Sequence, residues 1–280
     1  MPLFVRVTAL IENTALSPEF VCEHGLSLLL ETADGVILFD AGKSDSFLLN
    51  AKRLGIDLQK VDLAILSHGH NDHSGGMEAF LKLNTHAPLY LRETALDTHL
   101  SLKAGGVASI SVDISPELLK TERIHFTSGK ERIGENLLLF TSSIGKGSTA
   151  DSNQTLYILR NDRVVADPFL HEQNLILTEG NKKTLITGCA HRGIVNILAR
   201  AVELAGQPMD TVIGGFHLSS PSLGTTEPDW VLRKIASALL EYPETQYYTC
   251  HCTGLKAFEK LKELMPGRLS YLHSGEQILV

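Results

Sequence analysis

Disulfides are not what holds this chain together. It has only four cysteines, Cys22, Cys189, Cys250 and Cys252, too few and too scattered for a framework in 280 residues. Cys250-His251-Cys252 has the look of a metal clip, but the second ligand pair that a structural zinc site needs is missing. Reduced thiols are expected. No apolar run approaches the ~18 residues that span a bilayer, and Met1 to Ile11 lacks the cationic stretch, apolar core and cleavage site of a secretion signal. A cytoplasmic protein without a membrane partner is therefore expected. Basic charge is also lacking: a net charge of −7 leaves no basic face to supply affinity for nucleic acid. A small anionic substrate stays open, because a metal ion can hold a phosphate inside an acidic protein. Tandem repeats, low-complexity tracts and obvious linkers are absent, so residues 1–280 read as one domain.

Hydrophobic residues make up 43% and charged residues 20%, the balance of a soluble globular chain long enough to bury a sizeable core. Strand-like runs occupy Leu3–Ile11, Leu26–Glu31, Val36–Phe39 and Val61–Leu66, with a helix over Ser46–Leu54. Residues 85–150 have mixed texture: a strand at Pro88–Leu91, glycine-rich loops near Gly105-Gly106, a helix from Pro116 and a strand at Leu137–Thr141. This stretch suits a substrate-facing excursion. Regular alternation then returns, with strands at Thr155–Arg160, Asn174–Thr178 and Thr184–Thr187. Ile194, Ile197, Leu198, Ala201 and Leu204 keep helical spacing. Strand Asp210–Gly214 follows, Thr226 and Asp229 read as a capping box for the next helix, and strand Gln246–Thr249 precedes a last helix. Strands followed by strand–helix units thus occur twice, and two such halves can pack their sheets face to face with helices outside.

The chemistry concentrates in His68-Gly69-His70-Asn71-Asp72-His73, four metal-ligand residue types in six, directly after a buried strand. His68 and His70, two apart on an extended turn, can share one metal ion. Asp72 and His73 follow where the chain turns through Gly75-Gly76, and can reach a second. Imidazole and carboxylate suit zinc, iron or manganese, and open coordination positions make such a site catalytic. A histidine-rich surface loop is the bland alternative, and the adjoining apolar strand and double glycine argue against it.

This segment resembles the H-x-H-x-D-H signature of the metallo-β-lactamase superfamily, and Phe39-Asp40-Ala41-Gly42 resembles its first motif, in which an aspartate braces the ligand loop. Three further stretches, Glu23-His24-Gly25-Leu26-Ser27, Thr187-Gly188-Cys189-Ala190-His191-Arg192-Gly193-Ile194-Val195-Asn196 and His251-Cys252-Thr253-Gly254, resemble a subgroup similar to the dihydropterin ribofuranosyl-aminobenzene phosphate synthases. The resemblance implies an α/β four-layer αβ/βα sandwich holding one or two divalent transition-metal ions, zinc first, with iron and manganese compatible. Hydrolases of the superfamily usually add a histidine and then a bridging aspartate in the second half, yet residues 128–170 contain no histidine and Cys189 stands in the aspartate's slot. His191 is the natural substitute ligand, and Cys189 is either a thiolate ligand or a small buried residue. His251 corresponds to the final ligand. By position His217 resembles the proton-donating histidine of some relatives; ligand and packing roles stay open. His86, His99, His125 and His273 read as surface or loop residues, and His24 as contacting the site from behind. His171-Glu172-Gln173 reads as a solvated turn or a substrate-facing loop, and Arg192 as a phosphate-holding or plain surface arginine.

Metal-assisted hydrolysis of a small, anionic phosphate- or ester-bearing substrate is the leading expectation, with metal-activated water attacking and His217 protonating the leaving group. The subgroup resemblance implies a rival: condensation of an aromatic amine with an activated sugar phosphate, with decarboxylation. An iron-dependent oxygenase and a non-catalytic metal binder rank lower.

Overall fold

A computed structural model describes residues 4–103, 105–142, 151–220 and 223–280. Two seven-stranded sheets form its centre. In the first, Arg6–Ile11, Ser27–Thr32 and Gly35–Phe39 pair antiparallel, and from Gly35–Phe39 the sheet continues in parallel through Leu63–Ile65, Leu89–Arg92 and Ile124–Thr127. The second repeats the plan. Lys130–Ile133, Leu137–Phe140, Asn174–Glu179 and Lys182–Ile186 meander antiparallel, then Thr211–Gly214, Gln246–Thr249 and Leu269–Tyr271 add in parallel.

Strand alternation sets the layers, because successive side chains leave opposite faces of a sheet. Ile37, Phe39, Leu63 and Ile65 meet Leu139, Leu175, Leu177, Ile186 and Ile213 between the sheets. Leu38, Ala64 and Leu66 face the other way, against Phe47, Ala51, Met77 and Phe80 of helices Ser46–Arg53 and Met77–Leu83. Leu138, Phe140, Ile176, Leu185 and Val212 likewise face helices Ile194–Ala205, Asp229–Leu240 and Leu255–Leu264. The result is the expected four-layer αβ/βα sandwich.

Within 85–142, Leu89–Arg92 and Ile124–Thr127 complete the first sheet, and Lys130–Ile133 and Leu137–Phe140 edge the second. His99–Lys103 and Gly106–Ser109 leave both sheets and join Leu156–Arg160 and Arg163–Ala166 in a separate four-stranded sheet. The expected excursion's last residues, 143–150, lie outside the described residues. The expected helix from Pro116 is a single turn, Pro116–Leu119. The expected capping box does not form: Thr226 pairs with Ser219 in a two-residue ladder, and Pro228 enters helix Asp229–Leu240 with no side-chain cap. Among the described residues no helix is long and apolar enough to cross a membrane.

Five connections leave the C-terminal ends of parallel strands on one edge, at Asp40, Ser67–His73, Cys189–His191, Phe216–His217 and Cys250–Cys252. Crevices of this kind are where open α/β sheets bind ligands. The dry layer between the sheets holds that edge in place. Phe39→Ala in this layer should cost about 3–5 kcal/mol, while Val164→Ala on the exposed small sheet should stay within about 0.5 kcal/mol, both read from urea unfolding.

Candidate metal centre

The site is organised by Asp40, which is fully buried and takes a left-handed backbone conformation (φ 61°) directly after its strand. Its carboxylate accepts from the Ser67 amide at 2.7 Å, the Ser67 hydroxyl at 2.6 Å and the His73 ring Nδ1 at 2.6 Å. The Ser67 proton is therefore committed to Asp40, so Ser67 Oγ accepts from His68 Nδ1 at 2.8 Å. One buried carboxylate thus fixes two ring tautomers.

The other two ligand loops are built on a common plan. At His191, Asn153 accepts from Nδ1 at 3.0 Å and donates to the main-chain carbonyl at 2.8 Å, while buried Glu172 accepts the main-chain N–H at 2.6 Å. At His251, Asn13 accepts from Nδ1 at 2.8 Å and donates to the carbonyl at 3.3 Å, while buried Glu12 accepts the N–H at 3.1 Å. Burial pushes the Glu172 carboxyl up to about 7 despite the amide donors around it.

In all four histidines Nδ1 carries the proton, which leaves the lone pair on Nε2. Those lone pairs face one another: His68 Nε2 lies 3.3 Å from His191 Nε2, and His73 Nε2 lies 3.1 Å from His251 Nε2. Two bare acceptors at such distances repel unless a cation stands between them. Donors at zinc's 2.0–2.1 Å bond length in a tetrahedron are about 3.3–3.4 Å apart, so the spacing fits. Asp72 Oδ2 lies 3.4 Å from His251 Nε2 and 4.0 Å from His73 Nε2. His70 joins His68 and His191 in one donor set and has a buried Nε2 without a hydrogen-bond partner. Cys189 Sγ lies 3.1 Å from His73 Nε2 and groups with His68 and His73, between the two donor sets. The residues present therefore fit two transition-metal ions, one at His68, His70 and His191 and one at Asp72, His73 and His251.

Burial, and then the neighbouring histidines, hold His68 and His191 well below the ordinary histidine pKa. Burial also works against charge on His73, but Asp40 and Asp72 carry its pKa net upward. Asp72 stays well below the usual carboxylate range: burial opposes ionisation, and His73, His24 and His251 outweigh it. Burial pushes the Cys189 thiol up, a preference that coordination to a cation reverses.

Several expectations need correction. His99 and His171 are buried, not surface or loop residues. Both donate to Asp167 Oδ2 at 3.1 Å, and His171 Nδ1 accepts the Gly69 N–H at 2.9 Å, so the pair braces the turn between His68 and His70. Gly69 must be glycine here, because a Cβ would overlap Ala95 O and the His99 ring. Arg192 does not face the cavity: its guanidinium is turned inward onto the carbonyls of Ser142 and Pro168. His24 meets the site from the cavity side, with Nε2 3.3 Å from Asp72 Oδ2. His86 and His125 are exposed, and His273 is half-buried against Thr14. His217 lies at the site, its ring 4.1 Å from that of His191.

Sequence reading missed Glu12, Asn13, Asn153 and Asp167 altogether. The one available signal was polar residues crowding a strand end, as in Glu12-Asn13 after Arg6–Ile11. A cavity of about 490 Å³ opens onto the centre, with Asp72, Cys189, His191 and His217 in its wall and Lys43 and Lys103 nearer solvent.

Fold and donor sets together define a metallo-β-lactamase-type sandwich with metal-ligand side chains gathered at one edge, and comparison with known proteins agrees. The family model of the metallo-beta-lactamase superfamily matches residues 21–222, and the chain belongs to that superfamily. It is 28% identical, over 98% of its length and 96% of the relative's, to the 7,8-dihydropterin-6-methyl-4-(beta-D-ribofuranosyl)-aminobenzene-5'-phosphate synthase of Methanocaldococcus jannaschii. Among solved structures it matches a metal-dependent hydrolase of the beta-lactamase superfamily with TM-score 0.83 and 32% identity, covering 99% of each chain. A diphosphatase of the PhnP family shares the fold at TM-score 0.53 and 14% identity, over 99% of this chain and 97% of that one.

Asp40→Ala leaves three buried donors without their acceptor, at a cost of about 1–3 kcal/mol each. It should also weaken metal binding about 10–100-fold, read by competition with a chromophoric chelator. The raised pKa of His73 gives a second expectation. Below that pKa a proton occupies His73 and competes with the cation; above it the ring is free, so affinity should rise with pH through and beyond the ordinary histidine range. His68 and His191, already neutral there, should add nothing to that slope. A chelator competition series across pH reads it, and a flat profile would contradict the assignment.

Proposed function

We propose that this protein is a metal-dependent hydrolase of a small phosphate- or ester-bearing molecule. The observation that carries the reading is the pairing of unprotonated Nε2 atoms at 3.1 and 3.3 Å beside an open cavity. The proposed cofactor is one or two divalent ions; the imidazole and carboxylate donors with a nearby thiol favour zinc, and iron or manganese fit less well. When bound, such ions supply a water nucleophile near neutral pH and charge that stabilises a developing oxyanion.

The chain's own groups do the rest. Lys43 and Lys103 draw an anionic substrate to the cavity. Asp40, Glu12 and Glu172 hold the ligand loops so that no reorganisation accompanies the reaction. His217 is the proposed proton donor. Both its ring nitrogens are buried and free of hydrogen-bond partners, so one can pass a proton to a leaving group in the cavity.

A second reading is favoured by the whole-length similarity to the synthase: joining of a dihydropterin-methyl group to a ribofuranosyl-aminobenzene phosphate, with the metal orienting the phosphate-bearing substrate. Both readings place a phosphate beside the centre. They part on whether water or an aromatic amine attacks.

Protein purified without added metal should carry transition metal and turn over generic phosphodiester or ester substrates. His68→Ala and Asp72→Ala should lose metal and activity together. Full activity in either variant would end the hydrolase reading. No hydrolysis, with joining of a ribofuranosyl-aminobenzene phosphate to a dihydropterin that carries a leaving group on its 6-methyl, would select the synthase.

A further inference from the structure

His217 does not stand alone in the cavity wall. Its nearest ring nitrogen, Cys189 Sγ and Cys252 Sγ all lie within 4.8 Å of one another, and all three residues are buried. Cys252 comes from the turn His251–Thr253, Cys189 from the loop before helix Ile194–Ala205, and His217 from the loop after Thr211–Gly214. Main-chain hydrogen bonds knit these loops: Gly215 donates to Gly188 at 2.8 Å, Leu218 donates to Cys252 at 3.1 Å, and Phe216 donates to Thr253 Oγ1 at 2.8 Å. Gly215 leaves room for the thiol, since a Cβ there would overlap Cys252 Sγ. Cys250 instead faces the layer between the sheets, so the alternation around His251 sends one thiol to the core and the other to the cavity.

We propose that Cys189, His217 and Cys252 form a third, thiophilic cation site in the cavity wall, adjoining the two donor sets of the main centre through Cys189. Two sulfurs and an imidazole suit zinc or a softer ion such as cadmium, and three protein donors leave a fourth position open to the cavity. The ring of His217, more than nine-tenths buried with neither nitrogen hydrogen-bonded, supplies the unmet valence that a cation takes up. Occupation of this site ties down His217. Zinc in excess of the main centre's need therefore inhibits; that consequence, unlike the site itself, rests on the proton-donor role proposed above.

The test is titration of cobalt(II) into reduced, metal-free protein, followed by absorption in the thiolate-to-cobalt charge-transfer region. Wild-type protein should bind one more equivalent than Cys252→Ser, and the variant should lose most of the charge-transfer intensity. His217→Ala, which keeps both thiols, should also lose that equivalent, and guards against a folding defect in the cysteine variant. Equal stoichiometry and equal spectra in wild type and both variants would overturn the site. So would thiol counting that finds Cys189 and Cys252 joined as a disulfide in protein purified without reductant. Neither readout depends on which reaction the enzyme catalyses.

Discussion

The structure depends on lone pairs that cannot tolerate one another. Four imidazoles are held with their protons turned outward to protein acceptors and their bare nitrogens turned inward, 3.1 to 3.3 Å apart in pairs. Hydrogen bonding does not stabilise that arrangement once the rings are neutral, because each pair then offers two acceptors and no donor. Everything around the centre serves to keep the rings in this orientation: Asp40 through Ser67 and His73, and Asn153 with Glu172 and Asn13 with Glu12 behind the two late ligands. The constraint is geometric, and it reaches across the whole chain. Glu12 stands 239 residues from the amide that it accepts.

The fold explains why such distant groups can meet. Each half supplies antiparallel strands that build the inter-sheet layer and parallel strands whose ends open on one edge. The first half delivers His68, His70, Asp72 and His73 as one contiguous turn, while the second delivers His191, His217 and His251 from three separate strand ends. Left-handed backbone at Asp40, Ala190, His217 and His251 aims these loops inward. Conformations of this kind cost free energy and persist where surrounding structure over-determines them; here the buried carboxylates and loop-to-loop hydrogen bonds do so.

That difference between the halves also explains what the sequence made legible. The turn from His68 to His73 could be read because its ligands are adjacent and follow an apolar run. The layer order followed from strand alternation, since Ile37 and Phe39 must face one way and Leu38 the other. His191 and His251 were found as strand ends together with a family resemblance. Their partners were not, because Asn13 and Asn153 acquire meaning only when a loop from far along the chain arrives beside them. His99 looked like a loop residue because no apolar run in the sequence marks it as buried. Only Asp167, from the connection after Arg163–Ala166, shows that its ring points into the site. Arg192 misled for the same reason: a cation beside a helix start suggests an anion site, yet its carbonyl partners come from residues 142 and 168.

Charge balance ties stability to function. Glu12, Asp40, Asp167 and Glu172 are buried behind the ligand loops, and Asp72 faces them. Burying carboxylates is costly unless positive charge compensates, and the groups nearest to these carboxylates are mostly histidines such as His68, His70, His171 and His191, which burial keeps neutral. The upward pull of Asp40 and Asp72 on His73 is the local sign of carboxylates that favour cations beside them. A divalent ion at each proposed donor set would supply them, and metal binding and folding would then draw on the same free energy. The carboxylates that set the ring tautomers then also hold the metal field in place. Cys189, standing where a carboxylate would have added a fixed negative charge, contributes its charge only when a cation draws off the thiol proton. With Cys189 as a ligand the centre would adjust its own charge to its occupancy, a property a carboxylate at that position would not give.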